Sequence, residues 1–248
     1  MKILASDFDN TLLFHDQEKS YYRLEDVQAI KKFQAQGNLF GVCTGRSYNG
    51  VINWNSEGIE YDFYILCSGA KILDKQGNVI FQKFINKSLV SEILKDYPLV
   101  NTSIVYLEDT YILNPVDDYI NHHNIDSLDE IGDEYEAFSL HFEDDEIAGK
   151  EYLKIKERFG KYIDVYQNEC HLDFAPLGCS KGNGILTIID HFNIDSKDMA
   201  VIGDSYNDIP MLKVVDEAFI FNRSPEKVKQ EAKYLVDGLD GCISILMD

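Results

Sequence analysis

The sequence predicts an α/β fold: a doubly wound, mostly parallel sheet of Rossmann-like type with an inserted α+β cap domain. Three observations carry that expectation. Short, continuously apolar runs alternate with helix-periodic segments near both ends of the chain, the pattern of right-handed crossovers in a sheet covered on both faces. Hairpin spacing replaces that rhythm in the middle of the chain. Three of the apolar runs end in polar clusters, at the edge where open α/β sheets bind ligands.

Residues 2–6 read as a short buried strand ending at Asp7. Leu24, Val27, Ile30 and Phe33 recur at helical spacing, and Gly37 closes that helix. Residues 39–43 form a second strand ending at Thr44, a helix follows, and residues 63–67 form a third strand. Residues 71–73 and 79–81 flank a turn at 74–78 and predict a hairpin. From 84 to 176 the pattern reads helix, strand pair, helix, strand, helix and two strands. The clearest strands there are 103–107, 111–113, 137–142, 163–166 and 171–174. Parallel-sheet spacing returns with a helix over 180–192, a strand at 199–202, a helix over 209–214 and a strand at 218–221. Ser224-Pro225-Glu226 predicts a further helix, with the serine as cap and proline at the first position. The chain thus divides into a core domain in two pieces, 1–82 and 178–248, with the cap at 83–177 between them.

At 248 residues the chain is long enough to bury a large core, and 45% apolar with 27% charged residues is ordinary for a soluble globular protein. No apolar stretch approaches the roughly 20 residues that span a bilayer. Asp7 stands where a signal peptide would still be apolar, so a cytoplasmic location is expected. Five cysteines, odd in number and without a C-x-x-C pair, read as reduced and mostly buried thiols. His122 and His123 are adjacent and do not share a face, which argues against a histidine zinc site. The net charge of −20 repels nucleic-acid phosphates and anionic membranes, so neither is an expected partner. It repels a phosphate ester too, so an anion site must be made locally positive by a metal, a lysine and backbone N–H groups. A monomer or weak homo-oligomer is expected.

Four short elements carry the chemistry: Asp7-Phe8-Asp9-Asn10-Thr11, Thr44-Gly45-Arg46, Lys181, and Gly203-Asp204-Ser205-Tyr206-Asn207-Asp208. Two close carboxylates such as Asp7 and Asp9 can hold a cation, attack as a nucleophile or move protons, and mutual repulsion lets one keep its proton. Leu12 stands where an EF-hand loop needs glycine, so that reading fits poorly. Thr44 presents a hydroxyl at a strand end, with Gly45 opening a helix whose N–H groups favour an anion. Lys181 follows a capping serine, Ser180, and so occupies a first helical position, where a cation is unfavourable. The P-loop pattern is not matched there. Asp204 can bind a metal together with Asp7, and Asp208, one helical turn later, can orient Lys181 or a metal-bound water. Each element alone has an ordinary explanation as a turn, a cap or a surface charge. All four in this order point to magnesium-assisted phosphoryl transfer.

On these residues the chain resembles the haloacid dehalogenase superfamily, and within it the Cof-type phosphatases with a large inserted C2-type cap, over essentially its full length. D-x-D-x-T is carried by Asp7, Asp9 and Thr11, the threonine motif by Thr44, the lysine motif by Lys181, and G-D-x-x-N-D by Gly203, Asp204, Asn207 and Asp208. The resemblance implies Mg²⁺-dependent hydrolysis of a small phosphorylated metabolite, commonly a sugar phosphate, through an aspartyl-phosphate. It implies Asp7 as nucleophile and Asp9 as general acid and base, with Thr44 and Lys181 on the phosphoryl oxygens. Thr11, Gly45, Arg46 and Asn207 would complete the phosphate site. Asp7, Asp204 and the backbone carbonyl of Asp9 would hold the metal, with Asp208 in support and the cap binding the organic part.

Two departures from the family pattern stand out: Asn10 replaces a usual glycine, and Ser68-Gly69-Ala70 replaces Asn-Gly-Ala. Asparagine tolerates left-handed backbone, so the first loop is expected to survive. The second change bears on specificity. Two alternatives use the same residues: a phosphomutase that returns the phosphoryl group to a substrate, and a non-catalytic binding or regulatory protein on the same fold.

Overall fold

The structure, a computed structural model, describes residues 1–16, 19–116 and 122–248. Its first part runs β1 (Ile3–Ser6), β2 (Leu13–His15), β3 (Ser20–Tyr22), α1 (Leu24–Ala35), β4 (Leu39–Cys43), α2 (Tyr48–Ile52), β5 (Phe63–Leu66), β6 (Lys71–Asp74) and β7 (Val79–Gln82). A second part follows with β8 (Ile85–Asn86), α3 (Lys87–Leu94), β9 (Asn101–Tyr106), β10 (Asp109–Leu113), β11 (His123–Ile125), β12 (Glu134–Tyr135), β13 (Ala137–His141), α4 (Asp145–Phe159), β14 (Ile163–Asn168) and β15 (His171–Pro176). The chain ends with α5 (Lys181–Phe192), β16 (Met199–Gly203), α6 (Ile209–Leu212), β17 (Glu217–Phe221), α7 (Glu226–Lys229), β18 (Tyr234–Val236) and α8 (Leu239–Met247).

β1 lies inside an eight-stranded sheet of order β18-β17-β16-β1-β4-β5-β6-β7. Pairing is parallel from β18 to β5, and β6 and β7 add an antiparallel edge. Both faces of β1 are covered, which is why it reads as an unbroken apolar run. Ile3 and Ala5 pack with Ile185, Ile188 and Val201 on one face, and Leu4 packs with Phe33 and Phe40 on the other. The chain builds outward from β1 to β4 and β5, then returns to add β16, β17 and β18 on the opposite side. Strand order therefore reverses at β1, and a crevice opens at its carboxyl end.

The inserted part forms a six-stranded sheet of order β11-β10-β9-β13-β15-β14. Alternation along its strands sends Ile104, Phe138, Leu140 and Phe174 into a second core beneath α3 and α4. The Phe138 and Phe174 rings stack there at 4.1 Å. The alternate residues, including Ser103, Ser139 and Asp173, line a cavity shared with the larger sheet.

Three local expectations need correction. The helix expected before residue 137 is, among the described residues, the short strand β11 and one 3₁₀ turn at Leu128–Glu130; residues 117–121 lie outside them. Ile125, Leu128 and Ile131 are spaced like a helical face, but a Ser127–Glu130 capping box starts a single turn and Ile131 is already extended. The helix after Ser224 begins at Glu226 with Pro225 in the capping position, while the Ser224 hydroxyl is buried without a partner. Gly45 does not open a helix: α2 starts at Tyr48, with Ser47 accepting from the Gly50 N–H.

Candidate active site

The parallel register of Ser6 with Val42 and Ile202 brings the ends of β4, β1 and β16 to one edge. Asp7, Thr44 and Asp204 emerge there together. α5 starts opposite, with Ser180 capping the Asn183 N–H and Lys181 at the first helical position. Lys181 is 2% exposed. Its Nζ donates to Asp7 Oδ1 at 2.5 Å and to Asp208 Oδ1 at 2.6 Å. These two carboxylates are what stabilise a buried cation at a helix end that disfavours it. Asp208 Oδ2 accepts from the backbone N–H groups of Asp204 (2.8 Å) and Ser205 (3.0 Å), so both of its oxygens are engaged.

Two glycines permit this closeness. A Cβ on Gly203 would lie 2.4 Å from the Asp208 carboxylate, and one on Gly69 would lie 2.4 Å from the Ser180 carbonyl oxygen beside Lys181. Gly69 also adopts φ +89°, which a side chain would strain. Ser68 sits behind Thr44 rather than on the cavity wall, donating its N–H to the Thr44 carbonyl at 3.0 Å. Asn10 takes a left-handed φ of 56°, as the sequence led us to expect.

Burial, reinforced by Asp208, raises the Asp7 carboxyl well above its usual range despite Lys181. Burial and Asp208 push Asp204 up to about 6, with Arg223 and Lys181 opposing. Asp9 behaves oppositely. Burial would raise it, but His15 and Arg46 together hold it down at about 2. Arg46 donates Nε to Asp9 Oδ2 at 2.8 Å and Nη2 to Oδ1 at 2.7 Å, and His15 Nε2 lies 2.9 Å from Oδ1. Arg46 also donates Nη1 to the Gly50 carbonyl, and its guanidinium lies over the Phe8 and Trp54 rings.

Carboxylate oxygens of Asp7, Asp204 and Asp208 all lie within 4.8 Å of one another. Three carboxylates against one ammonium leave negative charge uncompensated, and the Asp208 charge adds to burial in raising Asp7 and Asp204. Hard oxygen donors held this way fit a small divalent cation such as Mg²⁺.

The cavity above these groups has a volume of about 440 Å³. Asp7, Asp9, Thr44, Gly45, Arg46, Asp204 and Asn207 line its floor. Asn207 Oδ1 is buried without a hydrogen-bond partner. Lys181 and Thr11 stand behind the floor: Thr11 is fully buried and its hydroxyl donates to Asp204 Oδ1 at 3.4 Å. All ten residues expected from the sequence thus converge on one place. Those missed include His15, Arg223 and the cap wall. Arg223 donates to the Asn10 carbonyl and lies 4.0 Å over the Phe221 ring. It follows the end of β17, so the strand-end logic that found Asp204 applies to it equally. His15 gave no signal, since its role depends on the β2–β3 pair turning it back onto Asp9.

Comparison with known proteins agrees with this geometry. A family model for haloacid dehalogenase-like hydrolases matches residues 4–240. The chain is 25% identical to an Escherichia coli 5-amino-6-(5-phospho-D-ribitylamino)uracil phosphatase, covering 94% of this chain and 90% of that protein. The fold matches a haloacid dehalogenase-like hydrolase from B. subtilis with a TM-score of 0.86 at 20% identity, covering 100% and 99% of the two chains. It also matches a subclass IIB sugar phosphatase with a TM-score of 0.83 at 20% identity, covering 100% and 98%. The chain belongs to the haloacid dehalogenase-like hydrolase family. Within that family it is an enzyme of the Cof-type phosphatase group. Among the described residues no helix is long and apolar enough to cross a membrane.

Proposed function

We propose that this enzyme hydrolyses small phosphate monoesters with Mg²⁺, through an aspartyl-phosphate on Asp7. The observation that carries the reading is the Asp7–Lys181–Asp208 network beside Asp204 at the carboxyl end of β1. Asp7 and Asp204 would hold the metal, with the Asp9 carbonyl as a further donor and Asp208 fixing the loop. Bound there, Mg²⁺ supplies positive charge that favours ionised carboxylates and an anionic substrate.

An ionised Asp7 oxygen attacks phosphorus and the ester oxygen leaves. Asp9 gives that oxygen a proton, then takes one from the water that attacks the aspartyl-phosphate, so inorganic phosphate and free Asp7 result. Asp9 held at about 2 is a poor proton donor while Arg46 and His15 grip it. A substrate phosphate that draws the Arg46 guanidinium removes part of that grip and adds negative charge nearby. Both changes raise Asp9 toward the range of a working acid. Thr44, Gly45 and Asn207 would contact the phosphoryl oxygens from the floor, and Lys181 would offset their charge from behind Asp7.

The E. coli relative and the subclass IIB neighbour motivate polyhydroxylated esters as first substrates. A cytoplasmic location suits five cysteines that are all free thiols. The test is phosphate release from p-nitrophenyl phosphate and a panel of phosphorylated metabolites, with Mg²⁺ and with chelator. The reading expects release that needs Mg²⁺ and no bisphosphate activator. Release only in the presence of a bisphosphate would favour a mutase instead.

A further inference from the structure

The cap wall of the cavity carries a pattern that phosphoryl chemistry does not use. Ser103 on β9 pairs across the sheet with Ser139 on β13, and Ser139 pairs with Asp173 on β15, so the three form one row facing the floor. Ser139 Oγ donates to Asp173 Oδ1 at 2.6 Å. The next row holds His141 and His171. Ser103 Oγ lies 3.0 Å from His141 Nε2. Burial and His171 push His141 down to about 4, so near neutral pH that ring adds no positive charge. Burial raises Asp173, opposed by Ser139, His171, Lys181 and Asn168.

Two more carboxylates, Asp109 and Glu169, border the same wall, and Asp109 accepts from Asn49 Nδ2 at 2.7 Å. Arg46 is the one lysine or arginine lining the cavity among the described residues, and it lies on the floor against Asp9. The stretch 117–121, outside the described residues, contains neither residue type. Among the described residues Asp173 forms no ion pair with a lysine or arginine, and Lys181 acts on it only from behind the floor. A half-buried carboxylate held directly by hydroxyl, amide and imidazole groups alone is under-compensated, and a ligand that brings a donor or a positive charge relieves it. A second anion on the ligand would instead face three carboxylates.

We propose that Asp173, held by Ser139, determines specificity for phosphate monoesters whose organic part is rich in hydrogen-bond donors, best of all a protonated amine, and rejects a second phosphate or carboxylate. This rests on the phosphatase reading above. It also bears on the mutase alternative, because a bisphosphate activator would need a site for its second phosphate that this wall does not offer.

The test is kcat/KM with saturating Mg²⁺ for three sugar esters phosphorylated at the terminal hydroxyl: glucosamine phosphate, glucose phosphate and phosphogluconate. Fructose bisphosphate and p-nitrophenyl phosphate complete the set. The amine should exceed the neutral sugar by about 10-fold and the carboxylate by about 100-fold, with the bisphosphate as poor as the carboxylate. Asp173→Asn should shrink the amine-to-carboxylate ratio to about 3-fold or less. Ratios between esters cancel any general loss of folded enzyme. Ser139→Ala, which leaves the carboxylate in place, should keep the ordering. Phosphate release without charge ordering, or an ordering untouched by Asp173→Asn, overturns this inference alone. No release from any ester, p-nitrophenyl phosphate included, overturns the phosphatase reading and this inference with it.

Discussion

On the floor of the cavity the carboxylates are tied to fixed donors, whereas on the cap wall they meet neighbours that carry no fixed positive charge. Lys181 bridges Asp7 and Asp208, two backbone N–H groups hold the second oxygen of Asp208, and Arg46 grips Asp9 twice. Opposite them, Asp173 takes a serine hydroxyl and sits beside a histidine and an asparagine. The floor is therefore preorganised by the main sheet, with its charges set before substrate arrives. The wall leaves part of its hydrogen bonding to the ligand. One surface suits a reaction common to many esters, the other a choice among them.

The sharpest way to break this comparison is at the floor. Asp9→Asn should lower phosphate release by about 10²- to 10⁴-fold. It should spare Mg²⁺ binding measured by calorimetry, because only its backbone carbonyl is assigned to the metal. Asp204→Ala should lose that binding. If both variants lose Mg²⁺ affinity equally, the role of the Asp9 side chain is misassigned.

Stability offers a second contrast. Lys181→Met removes the cation between two buried carboxylates and should destabilise by about 3–5 kcal/mol in denaturant unfolding. An exposed pair such as Lys150–Glu146 should change stability by about 0.5 kcal/mol when cut. Equal effects would show that the floor network is not under strain from charge.

Removing metal exposes a smaller effect with a definite sign. Asp204 at about 6 and Asp7, also raised, bind protons more tightly in the folded protein than an aspartate at its ordinary 3.8. At these two groups the folded chain then holds more protons than the unfolded one, so their contribution to stability falls as pH rises from about 4 through about 6. His141, lowered to about 4, contributes with the opposite sign over the same window. In a His141→Gln background, which removes that opposing group, thermal unfolding of chelator-treated enzyme should show this fall, and Mg²⁺ should flatten it. A melting temperature that rises across the window without metal would contradict the charge account of the floor.

The smallest expected effect is that of salt. Screening acts over about 8–10 Å and weakens the repulsion of a −20 protein for an ester more than a close contact inside the site. Moderate inert salt should leave kcat/KM unchanged or raise it slightly at saturating Mg²⁺. A steep fall would reveal a basic steering patch.

The same division governs what the sequence made legible. Asp7, Thr44 and Asp204 could be placed because each follows an apolar run, and a parallel sheet brings strand ends to one edge whatever the loops do. Lys181 was betrayed by standing at a helix start where a cation is unfavourable. Asp9 was visible as a residue, but not its Arg46 and His15 grip, which depends on Arg46 turning back from the loop after β4 and on the β2–β3 pair returning His15 to Asp9. The cap wall left a fainter trace, the alternation Ala-Phe-Ser-Leu-His along β13, which marks one polar face without saying what it faces. The segment 122–131 misled because its apolar spacing suits a helix and a capped single turn equally. We propose 83–177 as a separate folding unit. Deleting it should leave a core that still binds Mg²⁺, and cooperative unfolding with loss of metal binding would refute that boundary.

The central claim is that Asp7 attacks phosphorus, and Asp7→Asn tests it most directly. The amide keeps the side-chain shape and its place beside Lys181 but loses the nucleophilic charge. With p-nitrophenyl phosphate, saturating Mg²⁺ and a native circular-dichroism spectrum, the account predicts phosphate release at least about 10³-fold below wild type. Release at the wild-type rate from that folded variant would contradict it.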